Sequence, residues 1–509
     1  MVKKTSKKST FDVNKRLSGI LLHPTSLPGK YGIGELGSDL FKFIDLLKKN
    51  NQKIWQILPL GPTGYGNSPY QCFSAFAGNP FLISVEKLIA NELLKEDEIS
   101  NLPINNVNKV DFGQIIPWKW DILHKAFQNF LSQPQHTFKN NYDVFIEKNE
   151  SWLHDYALFM AIKNSLNNLA WNEWPQGLRD RESDTLNQWV SDHKDSYEFH
   201  KFVQFLFFYQ WDLVKKYCSK KGILIIGDIP IFVALDSADV WANRELFYID
   251  SNGKPEVIAG VPPDYFSKTG QRWGNPLYKW PIHQKQHYKW WKERFKQITS
   301  LVDLIRLDHF RGFEAYWSID SAEKTAIKGK WIKGPGSNFF NSLKKDMKEL
   351  PIIAENLGVI TEEVENLRYK FNLPGMKILQ FAFDDPYNTK NPYLPHNYDQ
   401  NNCVYTGTHD NETIVGWFEN LTKNQATMLK TYFNQSLSDI ASVFIRECMK
   451  SVAKYAIFPL QDILRIDNSG RMNFPGKESD NWEWRFDWKQ IKTIHFQELK
   501  TFTKNYNRV

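Results

Sequence analysis

Short apolar runs alternate with amphipathic stretches along most of the chain, which predicts strands and helices taking turns. Eight apolar runs are interpreted as strands, centred near residues 18, 55, 224, 303, 352, 377, 404 and 456. Several are continuously apolar, as is typical of strands buried on both faces of a parallel sheet. The pattern favours an α/β fold, a (β/α)8 TIM barrel with mainly helical insertions, over the alternative of a doubly wound open sheet.

Amphipathic stretches precede many of the predicted strands. Ser38 is expected to cap a helix with one apolar face, and Gly222 stands where a helix C-terminal glycine is expected. Further helices are predicted over residues 205–220, 290–300, 339–350, 364–371 and 491–505. No glycine-rich nucleotide motif follows a predicted strand, so nothing favours a nucleotide-binding fold.

The domain organisation is expected to be one catalytic barrel over residues 17–509. Residues 80–200 have an irregular helical period without strand alternation, which predicts a mainly helical insertion. Residues 255–280 are expected to form an active-site loop. Residues 1–16 are expected to be a disordered basic tail.

The net charge of +7 comes mostly from that tail. Residues 1–16 contain six Lys or Arg and one Asp, which leaves only +2 for the rest of the chain. We therefore expect no nucleic-acid partner, although a weak polyanion contact or a targeting role of the tail stays open. No run approaches the roughly 20 apolar residues of a membrane helix, so no membrane association is expected.

Cysteine and aromatic content narrow the class of protein further. The four cysteines have neither CxxC nor zinc-type spacing and are interpreted as free thiols in a cytoplasmic protein. Trp, Tyr and Phe make up 15% of the chain. Most must lie in the core, but Trp and Tyr also suit sugar binding, because a pyranose ring has an apolar face.

Four carboxylates stand at the ends of predicted strands. They are Asp228, Asp308, Glu355 and Asp410. The carboxyl ends of barrel strands share one rim, so we expect these acids to converge there. Paired carboxylates with His and Arg nearby are what retaining glycoside chemistry needs, with one acid attacking the anomeric carbon and the other transferring the proton.

Other interpretations of these acids remain open. A single carboxylate after a strand is usually a helix N-cap, and only the recurrence at four ends argues against that. A metal site of Asp and His is a further alternative, although no pair has the helical spacing typical of such ligands. Two loops rich in Gly and Pro, residues 61–70 and 261–276, are either ordinary surface loops or an aromatic sugar platform and lid.

Together the motifs resemble a known family. The chain is similar to the amylomaltases, or disproportionating enzymes, of glycoside hydrolase family 77 in the α-amylase superfamily. The resemblance covers nearly the whole chain and rests on GDIPIFV (227–233), DSADVW (236–241), RLDHFRG (306–312), AENLG (354–358), TGTHDN (406–411), SPYQ (68–71), AGNP (77–80) and the 262–276 loop.

The resemblance implies 4-α-glucanotransferase activity, in which an α-1,4-glucan segment moves to the 4-OH of a glucose or glucan acceptor. It implies that Asp308 is the nucleophile, that Glu355 is the general acid/base and that Asp410 holds the distorted sugar. It implies no cofactor, and substrates that are maltooligosaccharides and glucose. The substrate-binding residues it implies are Tyr65, Asp228, Asp264, Phe266, Gln271, Trp273, Arg306 and His409.

Two other functions stay open at this point. The same acids would serve an α-glucan hydrolase that accepts water, and the scaffold could be a non-catalytic glucan-binding protein. The family-like loop 262–276 favours transfer over hydrolysis, and the presence of all three catalytic acids disfavours a binder. A monomer or weak homodimer is expected.

Overall fold

The computed structural model describes residues 15–103, 106–263, 267–385 and 388–509, which contain two sheets. Tail residues 1–14 and the predicted site residues Asp264 and Phe266 lie outside the described residues. The strands in chain order are β1 (Leu17–Leu21), β2 (Ile54–Gln56), β3 (Leu224–Ile229), β4 (Val257–Val261), β5 (Gln271–Pro276), β6 (Leu304–Leu307), β7 (Ala315–Asp320), β8 (Gly329–Lys333), β9 (Ile352–Ala354), β10 (Gly375–Ile378), β11 (Asn402–Tyr405) and β12 (Tyr455–Pro459).

The larger sheet is an eight-stranded parallel barrel, as predicted. Its strands are neighbours in the order β10-β11-β12-β1-β2-β3-β6-β9, and every pairing is parallel. Each of the eight predicted strands corresponds to one barrel strand. The doubly wound alternative is therefore wrong.

The barrel closes between β9 and β10 through two hydrogen bonds instead of a full ladder. The Ala354 N–H donates to Pro374 O at 2.8 Å, and the Met376 N–H donates to Asn356 Oδ1 at 2.8 Å. A Cβ at Gly375 would meet the Asn356 amide at 3.0 Å. The side chain of Asn356, next to Glu355, thus takes the place of a backbone acceptor at the seam.

Helices surround the barrel and fill its insertions. The Gly222 C-cap is confirmed, with φ of 69° after α7, whereas Gly37 and not Ser38 is the N-cap of α1. The helices are α1 (Ser38–Lys49), α2 (Val85–Ala90), α3 (Phe112–Leu131), α4 (Lys139–Ser165), α5 (Gln176–Arg179), α6 (Ser183–Asp192), α7 (Lys194–Lys221), α8 (Ala238–Ala242), α9 (Trp280–Lys285), α10 (Lys289–Leu301), α11 (Gly336–Asp346), α12 (Glu362–Lys370), α13 (Ile414–Glu419), α14 (Lys423–Phe433), α15 (Ile440–Lys450), α16 (Leu460–Leu464) and α17 (Thr493–Asn505).

The mainly helical insertion lies between β2 and β3. Helices α2 to α6 and the start of α7 fall within residues 80–200, and no strand occurs there in the part of the chain that the structure describes. Aromatic side chains pack its core, with Phe130 stacked on Phe202 at a centroid distance of 4.8 Å. Trp211, in the part of α7 that continues beyond the insertion, donates from Nε1 to Leu301 O at the end of α10 at 3.0 Å, which ties α7 to a helix outside the barrel sheet.

The second sheet was not predicted from the sequence. Strands β5, β4, β7 and β8 pair antiparallel in that order. The segment expected to be an active-site loop, residues 255–280, therefore contains two strands. It pairs with β7, which begins just after the turn that follows β6, so the small sheet stands at the carboxyl rim of the barrel.

The start of the described chain is hydrogen-bonded to the C-terminal end of α15. The Arg16 guanidinium donates to Met449 O at 3.0 Å. Within the described residues, no helix is both long enough and apolar enough to span a membrane.

Candidate active site

All four predicted acids lie at the carboxyl ends of barrel strands. Asp228 is the next-to-last residue of β3, Asp308 follows β6, Glu355 follows β9 and Asp410 lies five residues after β11. None of the four is the N-cap of a described helix. Repetition of one strand-end position around the barrel, and not helix capping, explains their spacing in the sequence.

Arg306 joins two of these acids. Its Nη1 contacts Asp228 Oδ2 at 2.7 Å and Asp308 Oδ1 at 2.9 Å. The arginine points into the barrel from β6, in register with Asp228 on β3. Because a guanidinium is always ionised and presents several N–H groups, it holds both carboxylates in place and offsets their mutual repulsion.

Asp228 is a buried acid at the carboxyl end of β3. Its side chain is fully buried, and burial raises its pKa to about 6 although Arg306 opposes the shift. Oδ2 also accepts the Tyr70 hydroxyl at 2.9 Å. Its other oxygen, Oδ1, has no hydrogen-bond partner among the described residues. Its burial and its bonds to Arg306 and Tyr70 make Asp228 unsuited to be the exposed reacting group.

Glu355 has the environment of a proton-transferring acid. Burial raises its pKa to about 7, with the charge of Asp308 acting in the same direction and Arg306 opposing. Both carboxylate oxygens accept backbone N–H groups, Oε2 from His309 at 2.7 Å and Oε1 from Leu357 at 3.0 Å. A carboxyl whose pKa lies near neutrality can donate a proton in one step and accept one in the next.

Asp308 differs from Glu355 in its exposure. Its side chain is 27% exposed, whereas that of Glu355 is buried, and its backbone N–H donates to Ile229 O at 3.0 Å. The site therefore combines an accessible carboxylate held by a cation with a buried acid on the next strand. This combination suits nucleophilic attack by the first and proton transfer by the second.

Asp410 is fixed by two side chains. His409 Nε2 lies 3.2 Å from Oδ2, and Asn473 Nδ2 donates to Oδ1 at 2.7 Å. The partial burial of Asp410 would by itself raise its pKa, but His409 and Asn473 outweigh this effect and hold the pKa well below its ordinary range. Asp410 therefore carries a negative charge at neutral pH and opens to the cleft with 43% of its side chain exposed.

An aromatic wall backs Asp410. The Tyr70 ring stacks on His409 with centroids 5.1 Å apart, and Trp482 lies 5.9 Å from both rings. Sequence reasoning assigned a role to His409 but gave none to Tyr70, Asn473 or Trp482. Tyr70 could have been found, because it lies in the same Gly- and Pro-rich loop as Tyr65. Nothing in the local sequence marks Asn473 or Trp482.

The small sheet places Gln271 and Trp273 near His309. Trp273 in β5 meets His309 edge to face at 4.9 Å, and its Nε1 donates to Gln271 Oε1 at 3.1 Å. Burial and Arg311 lower the pKa of His309 to about 3, so this imidazole is neutral. Gln271 and Trp273 thus lie close to His309, the residue after Asp308, and their role in substrate binding stays a prediction.

Tyr65 has a different setting from the other predicted site residues. It lies in a short turn, residues 65–67, and is 73% exposed. Its ring is free to receive a ligand from solvent. Its assignment to sugar stacking stays a prediction.

A cavity of about 60 Å³ lies next to Asp228. Tyr70, Asp228, Phe232 and Arg294 are among its lining residues. Arg294 is buried and donates from Nη2 to Pro230 O at 2.7 Å.

The metal alternative finds no support in the geometry. No group of three or more His, Cys, Asp or Glu side chains in the described ranges is arranged to hold a metal ion. The acids of the site are bonded to the side chains of Arg306, Tyr70, His409 and Asn473 and to backbone N–H groups.

Comparison with known proteins agrees with this geometry. A family model described as 4-alpha-glucanotransferase matches residues 22–491. The chain is 46% identical over 506 residues to a 4-alpha-glucanotransferase of Thermus thermophilus, covering 97% of this chain and 99% of that protein. It is 47% identical over 500 residues to one of Synechocystis sp., with coverages of 97% and 99%.

Solved structures give the same result. The amylomaltase of Streptococcus agalactiae in complex with acarbose superposes with a TM-score of 0.94 at 40% identity, covering 97% of this chain and all of that one. The amylomaltase of Corynebacterium glutamicum, at 16% identity and a TM-score of 0.78, shares the fold, with coverages of 97% and 75%.

Proposed function

Because this chain belongs to the 4-alpha-glucanotransferase family, glycoside hydrolase family 77, we propose that it moves α-1,4-glucan segments by retaining double displacement through Asp308. The observation that carries the proposal is the pairing of an accessible, Arg306-bound Asp308 with a buried Glu355 whose pKa is raised to about 7. One acid is built to attack and the other to carry a proton.

The first half of the reaction breaks the donor chain. Asp308 attacks the anomeric carbon, the bond from that carbon to the glycosidic oxygen breaks, and the Glu355 proton passes to that oxygen. A covalent glycosyl-aspartate remains. Arg306 keeps the nucleophile oriented, and the negative charge of Asp410 binds the hydroxyls of the sugar as its ring flattens.

The second half reverses the roles. The 4-OH of an acceptor glucose or glucan attacks the same carbon, Glu355 takes the hydroxyl proton, and Asp308 leaves as a carboxylate. The α-configuration is retained because the carbon is inverted twice. The two carboxyl groups should lie about 5–5.5 Å apart for this route.

Seven other residues are proposed to bind the substrate. His409 and Asp228 support the sugar next to the cleavage point, and Tyr65 stacks on a sugar face. Gln271 and Trp273 line the acceptor side, together with Asp264 and Phe266. The position of Trp273 against His309 supports the acceptor-side assignment.

Maltooligosaccharides and glucose are the proposed substrates, and a cytoplasmic location is proposed. All four cysteines are free thiols, which supports a reducing compartment. A monomer or weak homodimer is proposed and is tested by sedimentation over a hundredfold range of concentration.

Incubation with maltotriose tests the reaction. Transfer gives a ladder of longer glucans and free glucose, while the total number of reducing ends stays constant. A rise in reducing ends without a ladder would mean that water, and not a sugar, accepts the intermediate, and the chain would then be a hydrolase. Unchanged maltotriose would leave only glucan binding.

A further inference from the structure

The loop that carries Glu355 is held by two hydrogen bonds, at Leu357 and at Val359. It runs from the end of β9 to α12 and is held near Glu355 by the Leu357 N–H bond to Oε1. Further along, the carbonyl of Val359 accepts a hydrogen bond from Nη1 of Arg311. Between these two bonds Gly358 has a φ of +83°, a left-handed conformation that glycine adopts without strain.

Arg311 contacts this loop from the turn that follows the neighbouring strand, β6. It lies in the turn Phe310–Phe313 after β6, three residues beyond Asp308, and is buried. Its Nε points to Ala315 O at 3.4 Å. None of the ion pairs among the described residues involves Arg311, and the adjacent carboxylate of Glu314 is bonded to Lys333. The guanidinium therefore holds main-chain carbonyls instead of neutralising an acid.

The face of the guanidinium rests on an aromatic ring. Its carbon lies 3.7 Å from the ring centroid of Trp331 in β8. Trp331 meets Trp317 edge to face at 5.2 Å, and Trp317 donates from Nε1 to Ala326 O at 2.9 Å. A planar guanidinium stacks on Trp in a way that a lysine cannot reproduce. The small sheet thus places an aromatic ring against one face of the Arg311 guanidinium.

We propose that Arg311, backed by Trp331, is a positioning residue that fixes the Glu355 loop so that the Leu357 N–H stays on the acid. The inference rests on the proposed function, in which Glu355 is the proton donor. Arg311 does not touch the reacting atoms. It acts by holding Val359 and hence the loop that presents an N–H to Glu355.

A loosened loop has a predictable effect on proton transfer. The Leu357 N–H stabilises the ionised carboxylate and lowers the pKa of Glu355, so its loss raises that pKa. The other groups that face Glu355 are Arg306 on β6, Asp308 just after it, the neutral His309, and Tyr393 from the segment before β11. The hydrogen bonds of the Arg311 side chain go to Val359 O and Ala315 O and to none of these groups, and lysine at this position keeps the positive charge.

The test compares two donors in the full-length protein. Cleavage of maltotriose needs a proton on the departing oxygen, whereas fluoride leaves α-maltosyl fluoride without one. We expect Arg311→Lys to lower kcat for maltotriose about ten- to hundredfold with little change in KM, because misplacement by about 1 Å can cost about 10²-fold. Single-turnover fluoride release should stay near the wild-type rate, and the basic limb of the maltotriose pH profile should move to higher pH.

Arg508→Lys is the matched control. Arg508 is fully buried and donates to backbone carbonyls, among them Met449 O at 2.7 Å, at the opposite end of the barrel. It should lower Tm and leave kcat and the pH profile unchanged. Trp331→Leu, which removes the backing ring but no charge, should give a smaller loss of the same donor-selective kind.

Two results would overturn the inference. One is an Arg311→Lys enzyme with normal kcat and pH profile, and the other is an equal loss on both donors, which would mean general disruption of the site. Failure of the proposed function is distinguishable, because the wild-type protein would then make no ladder from maltotriose. If Arg311→Lys does not fold, Trp331→Leu decides by the same two-donor ratio.

Discussion

The backbone N–H of His309 donates to Oε2 of Glu355 at 2.7 Å, and His309 directly follows Asp308 in the chain. One hydrogen bond thus couples the segment of the proposed nucleophile, just after β6, to the proposed acid/base, just after β9. His309 also has a φ of +48°, in the left-handed region. The cost of that conformation, of order 1 kcal/mol, is consistent with a constraint imposed by the site.

Replacement of the nucleophile should abolish transfer. Asp308→Asn keeps the shape of the side chain but loses the attacking charge, so we expect a fall in rate of at least ~10³-fold, as with other catalytic nucleophiles. The rate of ladder formation from maltotriose measures it. Asp320→Asn is the control, since Asp320 is an exposed acid at the end of β7 whose oxygen only accepts the Ala322 N–H. Near-normal activity of Asp308→Asn would refute the assignment.

The formation of the glycosyl-enzyme should depend on pH through Glu355. Its pKa is raised to about 7, and the first step needs the protonated form. The single-turnover rate on maltotriose should therefore be constant below pH 7 and fall about tenfold per unit well above it. With α-maltosyl fluoride this fall should be absent. A basic limb of equal size on both donors would assign the titration to another group.

The Tyr70 hydroxyl should matter through Asp228. Tyr70→Phe keeps the stack on His409 but removes the 2.9 Å bond to Asp228 Oδ2. A hydrogen bond to a charged group contributes about 1.5–3 kcal/mol, so we expect kcat/KM to fall roughly tenfold or more. In the control Tyr217→Phe, a hydroxyl that donates to Asp45 Oδ1 at 2.9 Å, between α7 and α1, is lost away from the catalytic acids. Equal effects of the two variants would count against the role of Tyr70.

Tyr65→Ala tests the predicted stacking residue. Because Tyr65 is 73% exposed, its loss should leave Tm unchanged. Loss of a ring contact worth about 1 kcal/mol should raise KM several-fold while kcat stays the same, as for binding shared by substrate and transition state. Kinetics with maltotriose and maltoheptaose measure the change. No change in KM for either donor would remove Tyr65 from the binding site.

A buried ion pair should stabilise the junction of the helical insertion with the barrel. Lys119 in α3 is fully buried and contacts Glu35, whose other oxygen accepts the Val85 N–H at 3.1 Å. Lys119→Met leaves that carboxylate without its cation and should reduce the free energy of unfolding by about 3 kcal/mol. Adding Glu35→Gln should recover most of the loss. Urea denaturation measures both, and an equally unstable double variant would contradict the explanation.

Much of the barrel could be predicted because its signal is local. Most of the parallel strands are short runs of mainly apolar, buried residues, and this composition is visible without knowing their neighbours. The strands of the small sheet cannot be recognised from local composition in this way. β5 contains Gly274, Asn275 and Pro276, and β4 pairs with β7 from more than fifty residues away. Its strands are stabilised by partners that the local sequence does not identify.

The candidate site divides in the same way. The sequence by itself determined the strand-end position of the four acids, since the end of an apolar run and the carboxylate after it are neighbours in the chain. Only the tertiary structure decided which groups meet: Tyr70 with Asp228, Asn473 with Asp410, and Arg311 with the loop of Glu355. These contacts join residues 48 to 158 positions apart. Burial and charge in the folded rim, which depend on all of those partners at once, set the pKa of Glu355 and so separate its role from that of Asp308.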